Sequence, residues 1–351
     1  MNNRKKTLVI LTPGFAASEA DTTCLPSRQV FVKALKKNNP ELNIIILAFE
    51  YPYRKDSYLW HGINIISFNG KNKRKFRKLL VWLSVWNVLW KLRRQNNIIG
   101  LLNFWLGECA LVGKYFGKVY DLRQYTWLLG QDAKKGNRFF SLVRPKGSEL
   151  IALSDFIAEQ VFINYGINVE HIIPVGIDIS MFQRSDQERD IDVLGAGSLI
   201  PLKRYDLFIR IIKELTFYFP KIHTMICGNG PEKEKLQALI DTLSLNTNIT
   251  LAGELPHQEV IRLMQQAKVF LHTSEYEGFG TVCAEALYAG CHVISFVKPM
   301  NEDIEHWSIA KTQDEMQQKL VQVLQDPGIE FKPVAVYTID HIAEKMMALY
   351  R

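Results

Sequence analysis

Cysteine is scarce in this sequence, and it never occurs in a spacing that binds metal or frames a small disulfide-rich domain. The 351 residues include 5 cysteines, which lie far apart, and no Cys-x-x-Cys pair or His–Cys cluster. An odd number of dispersed cysteines excludes a disulfide framework and a zinc site, and it is typical of a reducing compartment. We therefore predict a cytoplasmic protein.

Long apolar runs are also missing. The run Leu8–Leu11 is cut short by a Pro-Gly pair, which indicates a strand and a turn rather than a signal peptide. The mostly apolar stretch Leu79–Trp90 has 12 residues. A membrane-spanning helix needs about 20 apolar residues, so we expect no such helix here.

Acidic residues are absent from one long interval, between Asp56 and Glu108. The interval holds nine Lys and Arg residues, more than the formal net charge of +7 for the whole chain. The remainder is close to neutral, which argues against a nucleic-acid partner and predicts one basic patch on a globular body. A hydrophobic fraction of 47% excludes global disorder.

Short apolar runs alternate with helical patterns along the chain, which predicts α/β domains with parallel sheets. Strand candidates in the second half are Asp192–Gly195, His223–Cys227, Ile249–Ala252, Val269–His272 and His292–Phe296. The length favours two domains, which we place at residues 1–176 and 177–335. A last segment, 336–351, predicts a helix that can pack back on the first domain. Ligands of such folds bind beyond the carboxyl ends of strands.

The segment 274–286 is the strongest candidate site, because two glycines stand between a predicted strand and a predicted helix. Gly278 and Gly280 allow close backbone approach. The N–H groups of Gly280, Thr281 and Val282 would open the helix and form an anion site.

Two carboxylates flank this turn. Glu277 precedes it and Glu285 lies one turn into the helix, so together they can reach different hydroxyls of one elongated ligand. If each residue is considered alone, a structural explanation is equally good. Glu277 would then be an ordinary charged residue of a loop, and Glu285 an acidic residue that interacts favourably with the helix dipole.

A second constellation spans residues 195–204. Ile200 stands where a dinucleotide fingerprint needs glycine, which argues against NAD. Lys203 and Arg204 fall near a helix start, where the dipole disfavours cations. A bound diphosphate would resolve that conflict; side chains pointing into water would also do so.

Other candidates are weaker. His257 and His272 lack partners at ligand spacing, so we expect surface or core positions for both. Asp190 and Asp192 match a metal-binding Asp-x-Asp pattern by letters, but they precede a strand instead of following one, which favours a linker.

The second half of the sequence resembles the nucleotide-sugar domain of retaining glycosyltransferases of family four. The resemblance covers roughly residues 172–297 and is carried by two glutamates, Glu277 and Glu285, with Gly-Phe-Gly after the first. Residues 174–178 resemble the domain-junction motif of the family, and residues 195–203 its phosphate loop. It implies the GT-B fold, in which two Rossmann-like domains with parallel sheets face each other across a cleft.

The resemblance implies roles. Glu277 would bind sugar hydroxyls and stabilise charge at the reacting centre, and Lys203 would neutralise the leaving diphosphate; these are the implied catalytic residues. Glu285 would bind ribose hydroxyls. The implied donor-binding set is Gly14, Ser198, Lys203, Arg204, Gly228, Glu277, Gly278, Phe279, Gly280, Thr281, Val282 and Glu285. Family members need no metal ion or other cofactor.

Two departures from the family pattern stand out. Ser198 occupies a position where the family usually has Arg, and Arg204 is the candidate substitute. In the first domain the family commonly has a His that faces the acceptor; the nearest match here has Leu129 at that position, followed by Gln131 and Asp132 as candidate acceptor residues.

The basic interval predicts a helix with tryptophans four residues apart. The proposed membrane patch comprises Lys73, Arg74, Lys75, Arg77, Lys78, Trp82, Trp86 and Trp90. A basic helix with a Trp/Leu face is typical of interfacial membrane binding. The alternative is an ordinary helix that packs its Trp face on the sheet and leaves its cations in water.

The resemblance implies a glycosyltransferase that moves a sugar from a nucleotide-diphosphate sugar to a glycan or lipid-linked glycan, and it implies that the transfer occurs with retention. We expect it to serve cell-surface polysaccharide synthesis, peripherally on the inner face of the plasma membrane. Two alternatives stay open: a GT-B sugar-nucleotide epimerase, and a non-catalytic protein that binds membranes or polyanions.

Overall fold

The computed structural model, which describes residues 4–71, 75–183 and 188–351, divides the chain into two compact units. The N-terminal unit comprises Met1–Gly176 and Ile339–Arg351. The C-terminal unit comprises Ile177–Thr338.

The N-terminal unit is built on a mostly parallel sheet. Its strands are β1 (Lys6–Gly14), β2 (Asn43–Tyr51), β3 (Lys55–Trp60), β4 (Ile63–Phe68), β5 (Asn97–Phe104), β6 (Gln124–Trp127), β7 (Leu150–Ala152) and β8 (His171–Ile172). Its helices are α1 (Pro26–Asn38), α2 (Lys75–Gln95), α3 (Glu108–Tyr120), α4 (Phe139–Val143) and α5 (Asp155–Tyr165). Among the described residues the strand order is β3-β4-β2-β1-β5-β6-β7-β8.

The edge of this sheet differs from the expected parallel pattern. Strand β3 pairs antiparallel with β4 in a hairpin closed by His61 and Gly62, both with positive φ. That geometry matches the right-handed twist of the two strands. The other pairs are parallel, and β1 is buried along almost its whole length, as a central parallel strand should be.

The C-terminal unit confirms the parallel α/β prediction. Its strands are β9 (Ile191–Ala196), β10 (Thr224–Cys227), β11 (Ile249–Gly253), β12 (Ala267–His272), β13 (His292–Ser295) and β14 (Trp307–Ile309). Its helices are α6 (Tyr205–Leu215), α7 (Lys233–Thr242), α8 (His257–Gln266), α9 (Thr281–Tyr288) and α10 (Gln313–Gln325). The strand order in the described part is β11-β10-β9-β12-β13-β14, all parallel. The chain therefore reverses its direction of travel across the sheet between β9 and β12.

The C-terminal helix α11 (Ile339–Ala348) packs on α1 of the N-terminal unit. The Tyr350 hydroxyl donates to the carbonyl of Leu101 at 2.8 Å. A Cβ at Gly100 would lie 2.4 Å from the Tyr350 ring, so the missing side chain makes room for the ring. Lys37 and Asp340 add an exposed ion pair at 3.2 Å, which contributes little by itself.

Helix α2 corrects the expected membrane patch. Trp86 packs edge-on against Phe116, and the indole of Trp82 donates to Glu108 at 2.9 Å, so both tryptophans face α3. Lys78 is half-buried and forms an ion pair with Glu108 at 2.5 Å. Of the predicted tryptophans, only Trp90 is exposed.

The remaining patch residues divide by location. Lys73 and Arg74 lie outside the described residues, and nothing is described of the Lys75 side chain. Arg77 is exposed. The apolar side chains that do face outward on α2 are Leu79, Leu80, Leu83 and Trp90. No helix in the described ranges is both long and apolar enough to cross a membrane.

Candidate active site

The turn between β12 and α9 is the centre of the candidate site. Gly280 is the residue before α9 and has φ +77°, a left-handed conformation that a side chain would strain. Helix α9 begins directly after Gly280, so the N–H groups of Thr281 and Val282 lie at the N-terminal end of the helix. Both residues line a cavity, so a helix N-terminus meets this cavity as the sequence indicated.

Glu277 is held by three N–H donors from the described residues. Lys203 Nζ donates to Oε2 at 2.5 Å, and His272 Nε2 lies 3.3 Å from the same oxygen. The backbone N–H of Gly278 donates to Oε1 at 3.2 Å. The carboxylate is therefore fixed in both position and direction.

The charge state of Glu277 follows from these partners. Burial alone raises its pKa, but the hydrogen bond to His272 and the charge of Lys203 outweigh burial. Together they lower the pKa of the carboxyl from 4.5 to about 2. Glu277 is thus an anion throughout the physiological range.

Lys203 ends a 3₁₀ turn, Pro201–Lys203, that follows β9. Its backbone carbonyl accepts a hydrogen bond from Thr273 Oγ1 at 2.7 Å, which ties this turn to the end of β12. Arg204 adopts φ +52°, and its guanidinium forms an ion pair with Glu275 and approaches Asp206 at 3.4 Å. Adjacent cations therefore have different partners, and only Lys203 reaches Glu277.

Glu285 has a partner of its own. His257 Nε2 lies 3.0 Å from Glu285 Oε1. That hydrogen bond raises the pKa of His257 above its ordinary 6.5, against the smaller opposing effect of burial. Each of the two glutamates is therefore paired with a histidine.

The loops after β9 and β10 touch through glycine. Gly228 has φ +143°, and a Cβ on it would lie 1.9 Å from the carbonyl oxygen of Gly197. Only glycine permits that approach, which brings the two loops to one wall of the cavity.

The cavity measures about 410 Å³ and lies in the C-terminal unit. It is lined by Ala196, Gly197, Ser198, Lys203, Cys227, Gly228, Glu254, Leu255, His257, Val260, Glu277, Gly280, Thr281, Val282 and Glu285. These residues follow the carboxyl ends of β9, β10, β11 and β12, on both sides of the point where the strand order reverses. Open α/β sheets bind ligands at that point.

The structure brings together eight of the predicted donor residues around this cavity: Ser198, Lys203, Gly228, Glu277, Gly280, Thr281, Val282 and Glu285. Arg204 and Gly278 are not among the lining residues. Phe279 is buried, with its ring against Trp307 and Tyr337. Gly14 ends β1 in the N-terminal unit. The roles assigned to these residues stay predictions.

The expected core and surface positions of His272 and His257 are confirmed, but the prediction missed the contacts that both residues make. His272 is buried, as expected of a core residue, but it contacts Glu277, and His257 contacts Glu285. Sequence reasoning sought metal-ligand spacing and so missed them. The available signal was position: His272 is the last residue of β12, and His257 is the first residue of α8, which follows β11.

The candidate acceptor residues lie in the N-terminal unit. Gln131 is exposed. Asp132 is buried, and its Oδ2 accepts N–H bonds from Leu129 at 2.8 Å and Leu106 at 3.2 Å. Burial raises the pKa of Asp132 to about 6, despite these bonds and the charge of Arg28. These contacts make Asp132 a residue that joins two loops, and its acceptor role stays a prediction.

Asp192 also has a structural environment. It lies within β9, forms an ion pair with Lys268 at 2.8 Å and accepts the His223 N–H at 2.9 Å. The linker interpretation is therefore wrong for this residue. Within the described residues, no group of three His, Cys, Asp or Glu side chains is placed to hold a metal ion.

Similarity to known proteins agrees with this geometry. Solved structures with the GT-B glycosyltransferase fold match the whole chain; one is the HepE protein of Anabaena in complex with UDP and glucose, with a TM-score of 0.66 at 14% identity, covering 98% of this chain and 95% of that one. The chain thus has the GT-B fold. Residues 177–330 match the model of the family described as glycosyl transferases group 1.

Curated relatives such as the following two match shorter stretches of the chain. The GPI3 subunit of the phosphatidylinositol N-acetylglucosaminyltransferase of Saccharomyces cerevisiae is 33% identical over 109 residues, 31% of this chain and 24% of that protein. The 2-deoxystreptamine N-acetyl-D-glucosaminyltransferase of Niallia circulans is 28% identical over 159 residues, 44% of this chain and 38% of that protein. The matched segment thus spans about a quarter of the yeast relative and less than half of the bacterial one.

Proposed function

We propose that this protein is a glycosyltransferase that uses a nucleotide-diphosphate sugar. One observation carries the proposal: a cation, a helix N-terminus and two carboxylates line the same cavity, at the strand reversal of a glycosyl transferases group 1 domain. The cation and the helix end suit a diphosphate. The carboxylates suit the hydroxyls of ribose and sugar.

The proposed mechanism uses these residues in turn. Lys203 and the N–H groups of α9 stabilise the negative charge that grows on the leaving diphosphate. Glu277 binds the sugar hydroxyls and stabilises positive charge at the anomeric carbon, and Glu285 binds the ribose. Because Lys203 and the helix supply the positive charge, the proposal includes transfer without a metal ion. Retention is part of the proposal through the resemblance to glycosyltransferases of family four alone.

For the donor we propose UDP-N-acetylglucosamine. Two relatives are named as N-acetylglucosaminyltransferases, and the Anabaena structure holds UDP. The loop after β11 adds Glu254 and Leu255 to the cavity wall, and α8 adds Val260, so that a flat base can rest on apolar surface.

A thermal-shift series tests the donor. A ligand that binds only the native state stabilises it by mass action, so UDP and UDP-N-acetylglucosamine are expected to raise the melting temperature more than GDP or ADP at equal concentration. Added Mg²⁺ is expected to change the shift little. A larger shift with GDP would assign the donor to another base, and no shift with any nucleotide would contradict the proposed function.

Turnover separates the remaining alternatives. A transferase releases UDP faster when an acceptor is present. An epimerase converts the donor without one, and a non-catalytic protein on this fold does neither.

For the acceptor we propose a lipid-linked glycan of cell-surface polysaccharide synthesis, reached from an anionic membrane on the cytoplasmic side. Helix α2 supports this through its outer face, where Leu79, Leu80, Leu83 and Trp90 are exposed beside cations. Among the side chains of this helix that the structure describes, the exposed cations are Arg77, Lys91, Arg93 and Arg94. Apolar side chains with basic neighbours are typical of interfacial binding.

Co-sedimentation with phosphatidylserine-containing vesicles tests this surface. Replacing Arg77, Lys91 and Arg94 by Gln is expected to lower the partition coefficient by roughly 100-fold, since each cation near an anionic surface contributes about 1 kcal/mol. The matched control replaces three exposed cations of the C-terminal unit, Arg210, Lys213 and Lys221, which should leave binding unchanged. Equal losses in both variants would indicate only a general charge effect and would contradict the surface.

A further inference from the structure

Lys203 and His272 both contact Glu277, but a bound donor would affect the two contacts differently. It would draw Lys203 away and leave His272 in place. Lys203 lines the cavity, and its flexible ammonium now rests on Glu277 Oε2. The diphosphate of a nucleotide-diphosphate sugar carries two negative charges, and under the proposed function it competes for this cation. Glu277 must then keep its position without the full contact to Lys203.

His272 is the partner built to stay. It ends β12, and only 5% of its surface is exposed. Its ring lies nearly parallel to that of Phe270, with 6.4 Å between centroids. A side chain held by a strand and a neighbouring ring cannot follow a ligand into the cavity, so its contact with Glu277 persists when Lys203 moves.

The hydrogen bond also has a defined direction. Burial lowers the pKa of His272 below its ordinary 6.5, because it outweighs the opposing hydrogen bond to Glu277, and the charge of Lys203 lowers it further; the imidazole is therefore mainly neutral at neutral pH. A neutral imidazole carries one N–H, and the Glu277 carboxylate can only accept. Nε2 is therefore the protonated nitrogen.

We infer that His272 is a positioning residue, which keeps the Glu277 carboxylate directed at the sugar while Lys203 transfers to the donor diphosphate. This inference rests on the proposed function. The adjacent Thr273 holds the backbone of Lys203. Residues at the end of β12 thus position both members of the Lys203–Glu277 ion pair. His272 holds the carboxylate, and Thr273 holds the backbone of the lysine.

The first test needs no substrate. Lys203→Met imitates the loss of the lysine contact, and the carboxyl titration of Glu277 is followed by ¹³C NMR. With His272 present, the pKa of Glu277 is expected to stay below 4.5, its ordinary value. In Lys203→Met/His272→Leu it should rise to that value or above, because burial then acts without its main opponent.

Other ionisable groups near Glu277 leave this readout clear. Tyr205 on α6 and Cys283 on α9 both interact with it, and burial raises the pKa of each far above neutrality. Glu285, on α9, is paired with His257. Lys203 and His272 are thus the partners whose removal moves the titration.

The second test is kinetic. In His272→Leu, kcat for UDP release from UDP-N-acetylglucosamine is expected to fall roughly 10- to 100-fold with little change in KM, as for one lost hydrogen bond to a charged group. The acid limb of the pH profile should move to higher pH. His272→Gln keeps an N–H donor and should recover most of kcat, and His292→Gln, on β13, is the control that should match the wild type.

The outcomes are distinguishable. If Leu and Gln variants lose stability and activity equally with an unmoved acid limb, His272 is only a core residue and the inference is overturned. If the wild type shows no turnover of any nucleotide sugar, the proposed function fails, and the NMR titration still decides whether His272 holds Glu277.

Discussion

Glu277→Gln is expected to lower glycosyl transfer by about 10²–10³-fold, the cost of removing one positioned charge from a preorganised site. The amide has nearly the shape of the carboxylate, but it cannot stabilise positive charge at the anomeric carbon. In either orientation its NH₂ group also faces an N–H donor, either that of Lys203 and His272 or that of Gly278. The measurement is UDP release from UDP-N-acetylglucosamine, together with thermal unfolding to verify that the variant is folded.

The matched control is Glu275→Gln. Glu275 lies two residues away on the same loop, but it is exposed and pairs with Arg204. It should retain nearly full activity, because exposed ion pairs contribute little. Full activity in Glu277→Gln would refute its assigned role, and equal losses in both variants would point to disturbance of the loop.

Lys203→Met is expected to lower kcat by about 10²-fold and to weaken the thermal shift produced by UDP. The substitution keeps an unbranched side chain of similar length but removes the cation that faces the diphosphate. It also leaves the Glu277 carboxylate with two of its three N–H donors. The same UDP-release assay measures the loss in rate, and a UDP titration measures the loss in affinity.

Arg204→Met provides the comparison. Arg204 is the next residue and was the candidate substitute for the missing family arginine, but it pairs with Glu275 and does not line the cavity. We expect less than a threefold change in kcat, since surface substitutions are usually within about 0.5 kcal/mol. A loss in Arg204→Met as large as in Lys203→Met would return Arg204 to the diphosphate site.

The sequence by itself determined the fold class and the central turn of the site. The strands of the C-terminal unit could be predicted because buried parallel strands appear in the sequence as short apolar runs. The structure confirms each predicted strand within about two residues. The turn around Gly280 could be predicted because the features that indicate it are close together in the sequence. The end of a strand, two glycines and the start of a helix lie within a few residues of each other. The glutamates belong to the same local segment.

Contacts between distant segments were not available from the sequence. Lys203 and Glu277 are 74 residues apart, and His257 and Glu285 are 28 apart. Only the return of each strand to one edge of the sheet brings them together. His272 is five residues from Glu277, but the path of the loop, which no spacing predicts, decides that they touch.

Helix α2 shows the same division of information. Its sequence determined that a helix with apolar and basic residues would form, but apolar side chains occur on both its buried and its exposed sides. The spacing of the apolar residues therefore could not show which side of the helix would be buried. The packing of Trp82 and Trp86 against α3 left Leu79, Leu80, Leu83 and Trp90 outside. Only tertiary structure decides which face a helix buries, because burial depends on the neighbour that covers it.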